Sequence, residues 1–228
     1  MLTSTPLLFA FLCADTTHPA QPDHIVWRDA LMTLFFQNIP AHVMSTITDG
    51  TITTATFCDF RGIVCNAHRE IDEVRYSSTK GGNFNIRAVP NTVKYLRVSN
   101  SEQTFEISTR SFPKNLVHID VCLNKITGRI DLTTLPIRLE HGAFDWNRLK
   151  GPITLEYLPP FLKVLKLQAN AKIIQRTVYY DNLPVDIEQI FLVHEWERKR
   201  IKEVRAVNPE KVVTRPKFFG EMPAENVH

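Results

Sequence analysis

No stretch of this sequence is long enough or apolar enough for a transmembrane helix. The apolar run near its start, Pro6 to Ala14, has nine residues, whereas a bilayer span takes roughly 20. The net charge of +3 is too small to argue for nucleic acid or membrane as the main partner. Asn-x-Ser/Thr sequons are absent, so glycosylation says nothing about compartment. There is no G-x-S-x-G elbow, no H-E-x-x-H, no phosphate-cradling G-x-x-x-x-G-K-[ST] and no kinase signature. The dipeptide Gly81-Gly82 reads as a loop. The expectation is therefore a non-enzyme without cofactor. Composition is ordinary for a folded chain, 43% hydrophobic and 22% charged, and the length allows one or two domains. The apolar run fits a secretory h-region ending near Ala14, which makes residues 1–20 a candidate signal peptide. Two features count against it: no Lys or Arg precedes the run, and Leu12 is large for its place. The rival reading is an apolar N-terminal segment.

Prolines outnumber glycines, 14 to 8, and the reason is positional. Pro90, Pro113, Pro136 and Pro159 follow one another at intervals of 23 residues, and Pro184 comes 25 later. Each heads a similar segment. Apolar residues stand three, six and eight places after the proline: Val93, Leu96 and Val98; Leu116, Ile119 and Val121; Leu139, Gly142 and Phe144; Leu162, Leu165 and Leu167; Ile187, Ile190 and Leu192. Ile71, Val74 and Tyr76 form a fainter preceding unit. Asn124, Asn147 and Asn170 each stand eleven places after their proline.

This L-x-x-L-x-L-x-x-N pattern, at this period, is identified as a leucine-rich repeat. The stretches Asn124-K-I-T-Gly128-R-Ile130 and Asn147-R-L-K-Gly151-P-Ile153 resemble plant-type repeats, with Asp131 or Thr154 where that family has a further proline. The resemblance covers residues 68–194. It implies an α/β fold, a curved solenoid of about five to six coils whose parallel strands share one core. The buried Asn ladder bonds backbone groups that no sheet reaches. The proline fixes φ where the chain enters each strand, and Gly128 and Gly151 supply positive φ between strands. Gly142, where a leucine belongs, leaves a small void or lets Phe144 and its neighbours fill in.

An open solenoid needs an N-terminal cap. Cys58-D-Phe60-R-Gly62-I-V-Cys65 is similar to the C-x-W-x-G-V-x-C cap of plant-type repeats, with Phe60 in place of Trp. Upstream, Trp27 to Gln37 reads as an amphipathic helix with Trp27, Leu31 and Leu34 or Phe35 on one face. Residues 21–67 form this cap. The spacing of Cys58 and Cys65 permits a disulfide, which secretion would preserve; free core thiols are the alternative. A metal fits poorly, because the spacing is not C-x2-C and His68 completes no tetrahedral set. Cys122 has no clear mate.

Outward strand positions line the concave face. The candidate partner-binding residues there are Tyr95, Arg97, His118, Asp120, His141, Asp145, Trp146, Lys166 and Phe191. Aromatics and histidines with a few charges suit protein recognition. His118, His141 and Asp120 could approach a metal, but nothing in the sequence orients the imidazoles. The expected partner is another protein or peptide. The rival reading is an intracellular scaffold or assembly component that uses the basic segment around Arg198-Lys199-Arg200.

After Asn170 the pattern loosens, and Glu195 stands where the next Asn would. Residues 195–208, with Trp196, Ile201 and Val204 spaced for contact, read as a C-terminal cap. Residues 209–228 read as an extended or partly disordered tail. The patterns L-T-T-L-P, Y-Y-D-N-L-P-V-D-I-E and E-V-R-A-V resemble leucine-rich-repeat proteins of flagellate protists, many of them surface or secreted products. Secretion or surface display is favoured over the cytoplasm.

Overall fold

A strand of three residues buries too little to hold itself, so its stability comes from identical neighbours stacked above and below. That is the arrangement found. The structure, a computed structural model, describes residues 22–50, 56–194, 196, 200–213 and 216–228. The candidate signal peptide, Cys13 and the side chains of Arg198 and Lys199 lie outside the described residues.

Six strands pair in parallel: β2 (Ile71–Ser77), β3 (Tyr95–Ser99), β4 (His118–Asp120), β5 (His141–Ala143), β6 (Val164–Lys166) and β8 (Gln189–Phe191). A short β1 (Ile63–Cys65) adds antiparallel to β2 at the N-terminal edge. The register places Val74, Leu96, Ile119, Gly142, Leu165 and Ile190 in one column. Five of these six are fully buried apolar residues, so the coils share a continuous hydrophobic spine. The fold is a leucine-rich-repeat solenoid of six coils.

The Asn column holds the coils where the sheet ends. Asn147 accepts from the Ile126 amide at 3.0 Å and donates to the carbonyls of Val121, Phe144 and Asp145. Asn124 accepts from the Ser101 and Gln103 amides and donates to Val98, Val121 and Cys122. Asn170 repeats the pattern on Leu149, Phe144 and Leu167. One position earlier the chain turns left-handed in coil after coil: Ser78, Asn100, Leu123, Trp146 and Ala169 all have φ between 50 and 57°. This turn swings the next residue inward. In the coil before Asn124, Ser101 takes the Asn place and its hydroxyl donates to the Ser99 carbonyl at 2.8 Å.

On the opposite side of the coils, 3-10 turns recur at Ile86–Ala88, Thr109–Ser111 and Leu132–Thr134. Gly128 has φ +95°, and a Cβ there would lie 2.6 Å from Glu106 Cγ. Gly151 does not share that conformation, contrary to the sequence expectation; the following Gly151–Pro152 bond is cis. At Gly142 the Phe144 ring fills the space: a Cβ would meet Phe144 Cε2 at 2.9 Å. Phe144 in turn stacks on Phe112, centroids 6.2 Å apart.

The cap helix α1 (Asp23–Phe36) forms as expected and buries Phe35, one of the two alternatives, but turns Trp27 and Leu34 outward. Ile25, Arg28, Met32, Phe35 and Phe36 face inward, whereas Trp27 is 71% and Leu34 48% exposed. The choice follows from the partner surface: Phe35 stacks on Phe84 at 5.1 Å and Phe36 meets Tyr76 edge-on at 5.8 Å. A shorter helix α2 (Ala41–Ile47) adds Val43 and Ile47. Phe60, in the Trp place of the cap motif, packs on Phe36 and Phe57. Cys58 and Cys65 are joined by a disulfide.

At the other end, β7 (Gln175–Tyr180) pairs in parallel with β9 (Ile201–Ala206). Ile201 and Val204 are buried, while Trp196 is exposed. The expectation of an extended or partly disordered tail after 209 is corrected. Phe219 is buried against Tyr180, Met222 is buried, and Val227 bridges to Val204. Tyr180 fixes this return, accepting from the Val213 amide at 3.1 Å and donating to the His228 carbonyl at 3.4 Å. The last coil exposes an apolar edge, and this segment covers it.

Two outcomes test this packing. Asn147→Ala strands several buried backbone groups, each worth about 1–3 kcal/mol when unmet. Urea unfolding should show a loss of about 2–4 kcal/mol, against under ~0.5 for the exposed Asn182→Ala. Gly142→Leu overpacks and Phe144→Val leaves a cavity, each costing about 1–4 kcal/mol. The double variant restores the pattern of the other coils and should recover most of the loss.

Candidate functional site

Strand alternation sends every second side chain to the exposed face of the sheet, the face read from the sequence as concave. Parallel register then stacks like positions into columns ~4.8 Å apart. The first column runs Tyr95, His118, His141. Its rings lie 6.4 Å apart for Tyr95 and His118 and 5.5 Å for His118 and His141, with interplanar tilts of 30 and 36°. The rings form a half-exposed ladder on a rigid backing. Burial holds the His118 pKa below the ordinary histidine range, and the neighbouring His141 charge pushes it the same way; Asp120 opposes. His118 thus resists protonation within the ladder.

The second column carries Arg75, Arg97, Asp120, Ala143, Lys166 and Phe191. Arg97 Nε bonds Asp120 Oδ2 at 3.0 Å, and Arg75 pairs with Glu73. Lys166 Nζ sits 6.0 Å from the Phe191 ring centroid. The C-terminal segment also covers that ring, since a Cβ on Gly220 would lie 2.5 Å from Phe191 Cδ1. Phe191 is therefore engaged within the chain, unlike the open residues around it.

A third column follows at the strand ends, with Cys122, Asp145 and Gln168. The Cys122 thiol is pushed up to about 12 by burial and by its hydrogen bond to Asp120, so at neutral pH it stays a thiol and not a nucleophile. Asp145 is only 8% exposed, and its Oδ1 is buried without a hydrogen-bond partner. Burial raises its pKa; its own backbone amide and Lys166 work against that. Gln168 Oε1 and His194 Nδ1 are likewise buried and unpartnered. Beside them Trp146 meets Trp196 edge-on at 5.6 Å, and His194 stacks on Trp196 at 3.7 Å.

Of the nine residues expected to bind a partner, Tyr95, Arg97, His118, Asp120 and His141 are contiguous, and Asp145 and Trp146 adjoin them on the same face. Lys166 and Phe191 face each other. Gln168, His194 and Trp196 belong to the same end of the face but were absent from that set. The sequence signal for the last two was slight: a His and a Trp two apart on the coil where the Asn column fails. Among the described residues no group of three or more His, Cys, Asp or Glu side chains could hold a metal ion.

No family model and no curated protein matches the sequence. Among solved structures the chain is similar to one in the crystal structure of PEPR1–AtPEP1, at 18% identity and TM-score 0.46, over 86% of this chain and 30% of that one. It is also similar to a chain of the BIR3–SERK2 complex from Arabidopsis thaliana, at 13% identity and TM-score 0.42, over 72% of this chain and 92% of that one. A plant ice-binding protein matches at 13% identity and TM-score 0.25, over 79% and 87% of the two chains. The chain thus spans less than a third of the first of these.

The Asp145 environment yields a prediction. A carboxyl whose folded pKa is raised stabilises the fold while protonated and loses that contribution as pH rises through its folded value. Asp145→Asn removes the burial of charge. Its melting temperature should exceed that of the parent chain at neutral pH and converge with it near about pH 3, where both side chains are neutral. Scanning calorimetry across that range checks the sign.

Proposed function

We propose that this chain is a non-catalytic recognition module that holds a protein or peptide partner on the exposed face of its parallel sheet. The observation that carries the reading is the ring ladder Tyr95–His118–His141, continued by Arg97, Asp120, Asp145 and Trp146. Aromatic and charged anchors concentrate binding energy in a few contacts, and a rigid scaffold lowers the entropy lost on binding. The sheet supplies that rigidity, because each anchor is fixed by strand register and by the Asn column behind it. Lys166 and Phe191 lie at the margin of the surface.

The chemistry of the face suits contact better than bond making. Its free thiol, Cys122, is held protonated, and the Arg97–Asp120 pair is mutually neutralised. The Cys58–Cys65 disulfide persists in oxidising compartments, which favours secretion or surface display. No helix among the described residues is long and apolar enough to cross a membrane. The alternative, an assembly role for the basic segment near Arg200, draws less support: the strand that follows it, β9, is taken up in pairing with β7.

Selection of a random peptide library on the immobilised protein tests the reading. Enriched peptides should bind the parent chain and lose roughly tenfold or more of their affinity for the triple variant Tyr95→Ala, His118→Ala, Trp146→Ala, with the melting curve unchanged. Equal affinity for the variant would remove the sheet face from the account.

A further inference from the structure

The end of the face near the last coils carries a chemical demand that the fold leaves unmet. Asp145, Gln168 and His194 sit on three successive coils, and each holds a buried polar atom with no hydrogen-bond partner: the oxygens Oδ1 and Oε1, and the imidazole Nδ1. Asp145 is the sharpest case. It is 8% exposed and takes part in no ion pair among the described residues. Lys166, which acts on it through space, lies over the Phe191 ring instead. A buried carboxylate without a cation is costly, and most native structures supply one. Next to these residues stand two indoles with free surface, Trp146 at 40% and Trp196 at 65% exposure, in edge-on contact. The adjoining Asp120 is already taken by Arg97, whereas Asp145 has no such partner among the described residues.

Two oxygen acceptors and an imidazole nitrogen beside two exposed indole rings define the complement. The ligand group carries several N–H donors, a positive charge and a flat or compact head that lies on an aromatic face. A guanidinium has five donors in a planar fork and stacks on indole; an ammonium has three and is more strongly hydrated. We propose that the cluster of Asp145, Gln168 and His194, with Trp146 and Trp196, is a pocket for a basic side chain of the bound partner, arginine ahead of lysine. The proposal rests on the reading of the sheet face as a recognition surface and specifies one anchor of its ligand. The ring ladder at the other end takes the remainder of the partner.

The test uses three pentapeptides, Gly-Gly-X-Gly-Gly with X arginine, lysine or norleucine, titrated against the full chain. The chain has three tryptophans, so a Trp27→Phe background leaves Trp146 and Trp196 as the fluorescence reporters. The arginine peptide should give a saturable change, the lysine peptide a weaker one and the norleucine peptide none. Asp145→Asn, which keeps the side-chain shape, should weaken the arginine response roughly tenfold or more, as loss of a charge-assisted hydrogen bond requires. An equal response to norleucine, or an undiminished response in Asp145→Asn, would overturn the proposal. Library-selected peptides separate the two claims. If Tyr95→Ala with His118→Ala abolishes their binding while Asp145→Asn leaves it intact, the recognition face stands and the basic-side-chain pocket falls.

Discussion

The buried side-chain amide of the Asn column is the interaction on which the rest of this molecule depends. Strands of three residues satisfy few of the backbone groups in a 23-residue coil. What they leave would be stranded in an apolar interior, at a cost comparable to a lost hydrogen bond for each group. Asn124, Asn147 and Asn170 answer this by bonding their own coil and the one before it. Their reach across coils turns a stack of loops into one body. Serine does the same work with fewer bonds at Ser101.

The same device shapes the proposed binding face. To turn each Asn inward, the chain enters the left-handed region one residue earlier, at a cost of about 1 kcal/mol or more for a non-glycine residue. That turn places Trp146 at the rim of the sheet, beside the unpartnered Oδ1 of Asp145. Structural need and the proposed ligand chemistry therefore meet at one position. The ring ladder at the other end arises more simply, from alternation and parallel register.

Much of this was legible in the sequence because it repeats. Prolines at a constant interval, core residues three, six and eight places on, and Asn at eleven all report one local geometry copied from coil to coil. The face columns followed from the same count. What does not repeat was harder to read. The inward face of α1 is set by Phe84 and Tyr76, which are distant in sequence, so periodicity alone chose Trp27 over Met32. The return of the tail depends on Tyr180 and Phe191, which no local pattern links to Phe219 and Gly220. The pairing of His194 with Trp196 falls where the coil pattern has lapsed. The ladder partners of Asn147 were foreseeable in kind, since a buried amide must bond something, but the carbonyls it uses became plain only with the register.

The most direct test of the central claim is native-state hydrogen exchange, read at the side-chain amides of Asn124, Asn147 and Asn170 and at the backbone amides of Ser101, Gln103, Ile126 and Leu149. If the column joins the coils, these protons should exchange only through global unfolding, with one common protection that approaches the stability of the whole chain. Exchange at the rates of surface loops, or protection that differs from coil to coil, would contradict it.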